Sequence, residues 1–264
     1  MKNLKTKFAV MAIGMISLGA FTNCSNVEFK ASSDAAKLEA PTFEEAVINC
    51  ANAKTNGKLV EADTNLLFED PSVESGRQEV CRFGAEDNLP MENDSLTARY
   101  EQTAIIPLPV HAVLCGAEVS SQTPTFSYDD MFYLTLNNYV LASSLKKSLG
   151  SLKAESMSTP AGTELAYKYD WLSLRSSNFT GVNETSDNYC FGSAINSGDC
   201  QWPNSQKNGA LTLKFDPALV IGLGLKSESV QTIKFVVTGD NDPANDCRHE
   251  RLNIKVDYSY YLKK

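Results

Sequence analysis

Between two runs of alternating apolar residues stands a cluster of hard oxygen donors, Gly239-Asp240-Asn241-Asp242-Pro243-Ala244-Asn245-Asp246-Cys247. Its three carboxylates and two side-chain amides are ligands of the kind calcium takes. The spacing is not that of an EF-hand. Ala244 holds the fifth ligand position, the glycine after it is missing, and Arg251 stands where the closing glutamate belongs. The same residue types also build hairpin turns, because Asp and Asn side chains hydrogen-bond nearby backbone. Arg248 and His249 follow at once and can balance the charge without a metal. A plain turn, a calcium-stabilised turn and a calcium-mediated ligand site all remain open.

Two further spots carry binding chemistry. Tyr128-Asp129-Asp130 precedes an apolar run and offers paired carboxylates beside an aromatic ring, or a solvated turn. Trp202 lies in the polar stretch Gln201-Trp202-Pro203-Asn204. There it serves either as a rigid contact for a sugar ring or as packing under its own loop. Nucleophilic catalysis finds little support. The chain holds only two histidines, His111 and His249, and no Gly-x-Ser-x-Gly elbow to present a serine. His111, in Val110-His111-Ala112-Val113-Leu114, reads as a strand residue. Paired carboxylates for glycoside hydrolysis depend on spacing in three dimensions, so an exported hydrolase stays as the alternative to a binding module. A purely structural envelope protein is the third reading.

Lys2, Lys5 and Lys7 precede an uncharged apolar run from Phe8 to Ala20, and Phe21-Thr22-Asn23-Cys24 closes it. That run is shorter than the roughly 20 residues of a membrane span but suits the core of an export signal. Residues 1–24 resemble a bacterial lipoprotein signal, in which the cysteine after the apolar core is acylated and becomes the mature N-terminus. Phe21 and Asn23 depart from that pattern, which leaves ordinary cleavage after Ala20 as the other route. The resemblance implies a signal peptide over 1–23, lipidation of Cys24, and a membrane anchor. Ser25 after the cysteine points to the outer membrane.

Export also gives the cysteines a meaning. Setting Cys24 aside leaves Cys50, Cys81, Cys115, Cys190, Cys200 and Cys247, an even set in an oxidising compartment and so a disulfide framework. No Cys-x-x-Cys pair occurs, which argues against a zinc site. Cys190 and Cys200 bracket a short loop and are expected to pair, which is worth about 3 kcal/mol in the chain-entropy picture. The partners of the other four are left open.

These groups must be held by a fold. Residues 24–40 are rich in Ser, Ala, Lys and Asp and read as a flexible tether. From Pro41 to Lys264 run about 225 residues, enough for one buried core. The dominant period is two. Leu252, Ile254, Val256, Tyr258 and Tyr260 alternate with polar residues, as do Phe132-Leu134-Leu136, Leu211-Leu213-Phe215, Ile233-Phe235-Val237 and Leu165-Tyr167-Tyr169-Trp171. Thr97 to Ile106, Val110 to Cys115 and Tyr139 to Ser143 are further strands. Many short strands separated by Gly, Asn and Pro predict a single, mainly β domain over 41–264, an antiparallel, jelly-roll-like sandwich braced by disulfides. Helices are expected over 43–52, behind a Thr42/Glu45 capping box, and over 218–222, behind Asp216-Pro217. A further turn is expected over 146–152.

The strand, acid-rich loop and final strand at the C-terminus resemble the terminal hairpin of calcium-dependent galactose-binding lectin sandwiches. Carried over, that resemblance makes Asp240, Asp242, Asn245 and Asp246 the ligands of a calcium ion that in turn holds sugar hydroxyls. Cleavage removes three lysines and no acids, taking the formal charge from −8 to −11. A chain so acidic repels nucleic acid, and it carries no phosphate-binding loop. The combined expectation is an anchored envelope module that binds glycans or envelope proteins, with calcium as a cofactor.

Overall fold

A computed structural model of the protein describes residues 40–68, 100–121, 131–160, 162–175, 188–192, 200–201, 211–227, 230–238 and 252–263. Among them, two antiparallel sheets form a sandwich. The first sheet orders β1 (Val60–Phe68), β12 (Leu252–Leu262), β3 (Ala112–Ser121), β10 (Thr212–Lys214) and β9 (Cys200–Gln201). The second orders β2 (Tyr100–Ile106), β11 (Gln231–Thr238), β4 (Met131–Leu136), β5 (Tyr139–Ser143), β7 (Gly162–Lys168) and β6 (Lys153–Thr159), with β8 (Tyr189–Cys190) also on β5. β12 follows the alternation: Ile254, Val256 and Tyr258 turn into the space between the sheets, in one core with Val119, Leu134 and Phe235.

β4 is buried along its whole length rather than on one face. Phe132, Leu134 and Leu136 enter the inter-sheet core, while Met131 and Tyr133 pack outward. A 3-10 helix (Lys146–Ser151) and α2 (Trp171–Arg175) cover that outer side through Leu149, Trp171 and Leu174. Trp171 is core, as its alternation suggests, but the strand that carries the pattern stops at Lys168. The side chain of Asp170 accepts from Leu172 N (3.1 Å) and Ser173 Oγ (2.6 Å), starting a helix where the periodicity continues a strand.

α1 (Phe43–Thr55) begins with the expected capping box. Thr42 N donates to Glu45 Oε2 (2.9 Å), and Glu45 N donates to Thr42 Oγ1 (3.3 Å). Ala46, Cys50 and Ala53, spaced by four and three, form its buried stripe against Val113, Cys115 and Tyr261 on the outer face of the first sheet. A bulge in β3 makes that contact possible. Ser259 pairs with Gly116 and Tyr260 with Leu114, so Cys115 is the extra residue and turns toward α1. There it forms a disulfide with Cys50, their Cα atoms 5.6 Å apart. α3 (Pro217–Leu225) is capped by Asp216, whose Oδ1 accepts from Ala218 N at 2.7 Å, and runs past the expected end at Gly222.

His111 is not a strand residue. It stands in the turn before β3 with φ of 65°, exposed, and its carbonyl accepts from Lys263 N at 3.0 Å. β1 and β6 are additional strands that the alternation in the sequence does not announce.

Candidate functional site

Cys190 and Cys200 are bonded, as their spacing predicts, but the bond does more than close a short loop. Cys190 lies on β8, paired to β5 in the second sheet, and Cys200 on β9, paired to β10 in the first. The bond therefore staples one sheet to the other. Gly192 follows with φ of 75°, and a Cβ there would meet Asp216 Cβ at 2.9 Å and crowd Leu219. Cys24, Asp129, Asp130, Trp202, Asp240, Asp242, Asn245 and Asp246 lie outside the described residues.

An open groove of about 670 Å³ lies on the outer face of the first sheet. Among the described residues, α1 covers one end of that face and leaves the rest open. Alternation places Glu61 and Asp63 of β1, Asp257 and Ser259 of β12, and Glu118 of β3 on the open part, with Lys54 of α1 and Pro217 of α3 at its edges. The register is specific. Asp63 stands opposite Asp257, Asp257 opposite Glu118, and Glu118 opposite Lys214 of β10.

Three carboxylates side by side on neighbouring strands repel one another. Two lysines relieve the row: Lys255 bonds Asp257, and Lys214 Nζ lies 3.7 Å from Glu118 Oε2. Lys255 is raised above its ordinary value, first by its hydrogen bond to Asp257, with the charges of Asp257, Asp63 and Glu118 adding to it. Such a surface accepts hydrogen bonds from hydroxyl or ammonium groups. Among the described residues, no group of three or more His, Cys, Asp or Glu side chains is placed to hold a metal ion. Nor is any described helix long and apolar enough to cross a membrane.

The carboxylate row is absent from the sequence-based expectations, although Asp257 is one of the polar partners in the clearest alternating strand. The missing signal is lateral. Asp63, Glu118 and Asp257 are far apart in the chain and become neighbours only through strand pairing.

Two smaller clusters share one chemistry, a carboxylate held by a phenol and an ammonium. Glu155 Oε2 accepts from Tyr139 Oη (2.8 Å) and from Lys226 Nζ (2.9 Å), and Lys226 sits 5.1 Å above the Tyr139 ring. Glu101 accepts from Tyr169 Oη (2.9 Å) and pairs with Lys234 (3.2 Å), which lies 5.4 Å from the Tyr169 ring. Each cluster satisfies its own groups and ties separate elements together, so both read as structural clamps. No protein-family model matches the chain, and no curated protein is similar to it.

Proposed function

We propose that this chain is an exported lipoprotein of the cell envelope, acylated on Cys24, whose disulfide-braced sandwich binds surface glycans. The groove on the first sheet carries the reading. A row of carboxylates from Asp63, Asp257 and Glu118, flanked by Lys54 and Lys214, offers acceptors and donors at the spacing of adjacent strands. Sugar hydroxyls, each both donor and acceptor, match that mixture. The bonds Cys50–Cys115 and Cys190–Cys200 suit an oxidising compartment and hold rigid the frame that presents the groove. In this reading the cluster Asp240, Asp242, Asn245 and Asp246 holds calcium as the accessory ion.

Labelling the native host with a palmitate analogue tests the anchor. Wild type is expected to take the label and Cys24→Ala to lose it. A glycan array tests the module: wild type gives signal, and the variant Asp63→Asn/Asp257→Asn loses about tenfold, the scale of a lost charge-assisted hydrogen bond. A blank array for wild type, with and without calcium, would reject the glycan reading.

A further inference from the structure

We infer that one end of the sandwich is a membrane-contacting surface, where Val60, Ile105, Val110, Val230 and Leu262 enter the headgroup boundary of a lipid bilayer. The inference rests on the export and acylation proposed above. Five of the nine large apolar side chains that stand exposed among the described residues belong to this end. Val110 is 81% exposed, Ile105 58%, Val230 and Leu262 53% each, and Val60 38%. Single exposed apolar residues are ordinary, whereas a contiguous group marks an interaction surface.

Strand register makes the group contiguous. Val60 begins β1 and pairs with Tyr260, so it shares a face with Leu262, its diagonal neighbour at the end of β12. In the second sheet, Ile105 pairs with Thr232, which puts Val230 diagonally beside it. Leu262 also pairs with Ala112, where β3 begins. The turn from Ile106 to Ala112 therefore ties the two pairs to one end, and Val110 stands in that turn. Leu108 N donates to Ile106 O (2.8 Å) and Ala112 N to Pro109 O (3.0 Å), which keeps the link compact. β1 and β2 adjoin as the edge strands of the two sheets.

The chemistry of this end suits lipid. No Asp, Glu, Lys or Arg occurs between Glu101 and Glu118, and Pro107 and Pro109 are exposed beside Val110. The charges that bracket the group in sequence are cations, Lys58 before Val60 and Lys263 after Leu262. Glu61 turns to the groove on the outer face. The net negative charge of the chain does not prevent contact, because salt screens charges beyond about 10 Å.

The position of the anchor selects a bilayer over a second copy of the chain. α1 packs in one cluster with Leu59, Val113 and Tyr261, the residues adjacent to Val60, Ala112 and Leu262. The chain from Cys24 thus enters the domain at this same end. Ala40 stands 16 residues after Cys24, a reach of at most about 55 Å. So short a tether holds the end at a high local concentration of lipid, where a weak contact suffices. Thr238 and Leu252, which flank the acid-rich connection, then lie at the far end, away from the bilayer.

The test uses the full-length acylated protein in vesicles of phosphatidylethanolamine and phosphatidylglycerol, with or without bromine on the acyl chains. Val110→Trp is expected to lose about half its added fluorescence to the brominated lipid, as befits a side chain at the headgroup boundary. The signal of Trp171 and Trp202 is subtracted with the wild type. Leu67→Trp, at the other end of β1, is expected to stay unquenched. Ile105→Trp reports the contact from β2, and adding Val110→Asp should cut its quenching about twofold, because a charge resists burial in lipid. Vesicle-bound protein with no quenching at Val110→Trp and Ile105→Trp, or with equal quenching at Leu67→Trp, would overturn the surface while leaving the anchor intact. Cross-linked dimers through this end, without quenching, would give the surface to a second copy and overturn it too. Failure of the acylation reading looks different: protein that does not float with the vesicles and carries no acyl mass, which removes the anchor and the docked end together.

Discussion

Glu155 shows how one side chain can hold three elements. It stands on β6, takes hydrogen bonds from Tyr139 on β5 and from Lys226 at the end of α3, and is partly exposed. Its carboxyl lies below the ordinary value of 4.5, first through the Lys226 hydrogen bond and then through that of Tyr139. Lys226 is raised, first by its hydrogen bond to Glu155. Tyr139 is raised too, first by burial and then by donating to Glu155. A carboxyl lowered by folding adds stability above 4.5 that is lost as pH falls through the folded value. A raised ammonium adds stability below 10.5 that is lost as pH climbs through its folded value. Glu155→Gln is therefore expected to lower the urea midpoint at pH 7, with the gap to wild type closing as pH falls below 4.5. A gap that stays constant down to about pH 3 would mean that Glu155 acts by packing alone.

At the scale of elements, the tight turn from β4 to β5 is the junction that most depends on two residues. Asn137 and Asn138 both have positive φ, 51° and 67°, the signature of a two-residue hairpin turn that Asn tolerates. Asn137 also reaches outward. Its side chain donates to Leu223 O (3.1 Å) and to Gln231 Oε1, and accepts from Thr232 N (3.0 Å). It thus joins the hairpin to the end of α3 and the start of β11. Asn137→Gly keeps the backbone and loses these bonds, at a cost of roughly 1–3 kcal/mol. Asn137→Ala loses the bonds and strains the turn, adding about 1 kcal/mol more. Equal denaturation free energies for the two variants would show that backbone strain is not part of the cost.

For the molecule as a whole, covalent ties add to what the packed core supplies. Cys50–Cys115 spans 65 residues and binds α1 to the sheet, closing a loop worth about 4 kcal/mol in the chain-entropy model. Cys190–Cys200 joins one sheet to the other. Cys50→Ala/Cys115→Ala should lose most of that amount in guanidinium unfolding. It should also expose the α1 stripe of Ala46 and Ala53, read as earlier amide exchange in α1 than in β12. Matching exchange in both elements would mean that packing alone keeps the helix in place.

Chemistry written within a few neighbouring residues could be read directly from the chain. The Thr42/Glu45 box starts α1, Asp216-Pro217 starts α3, and the alternation in β12 already declares which side is buried. Local rules reach that far because capping and pleat periodicity involve contacts only a few residues apart. They fail where a distant partner decides. Lys153–Thr159 has too little apolar content to announce a strand, and becomes one by pairing with β7. Asp170 outweighs the strand pattern through Trp171. The partner of Cys50 and the row of Asp63, Asp257 and Glu118 exist only once β1, β12 and β3 lie side by side. The amino-acid sequence by itself determined the class of fold and one of its disulfides, Cys190–Cys200. Tertiary structure decided the partner of Cys50 and which carboxylates share a groove, because both are adjacencies between residues that chain order keeps far apart.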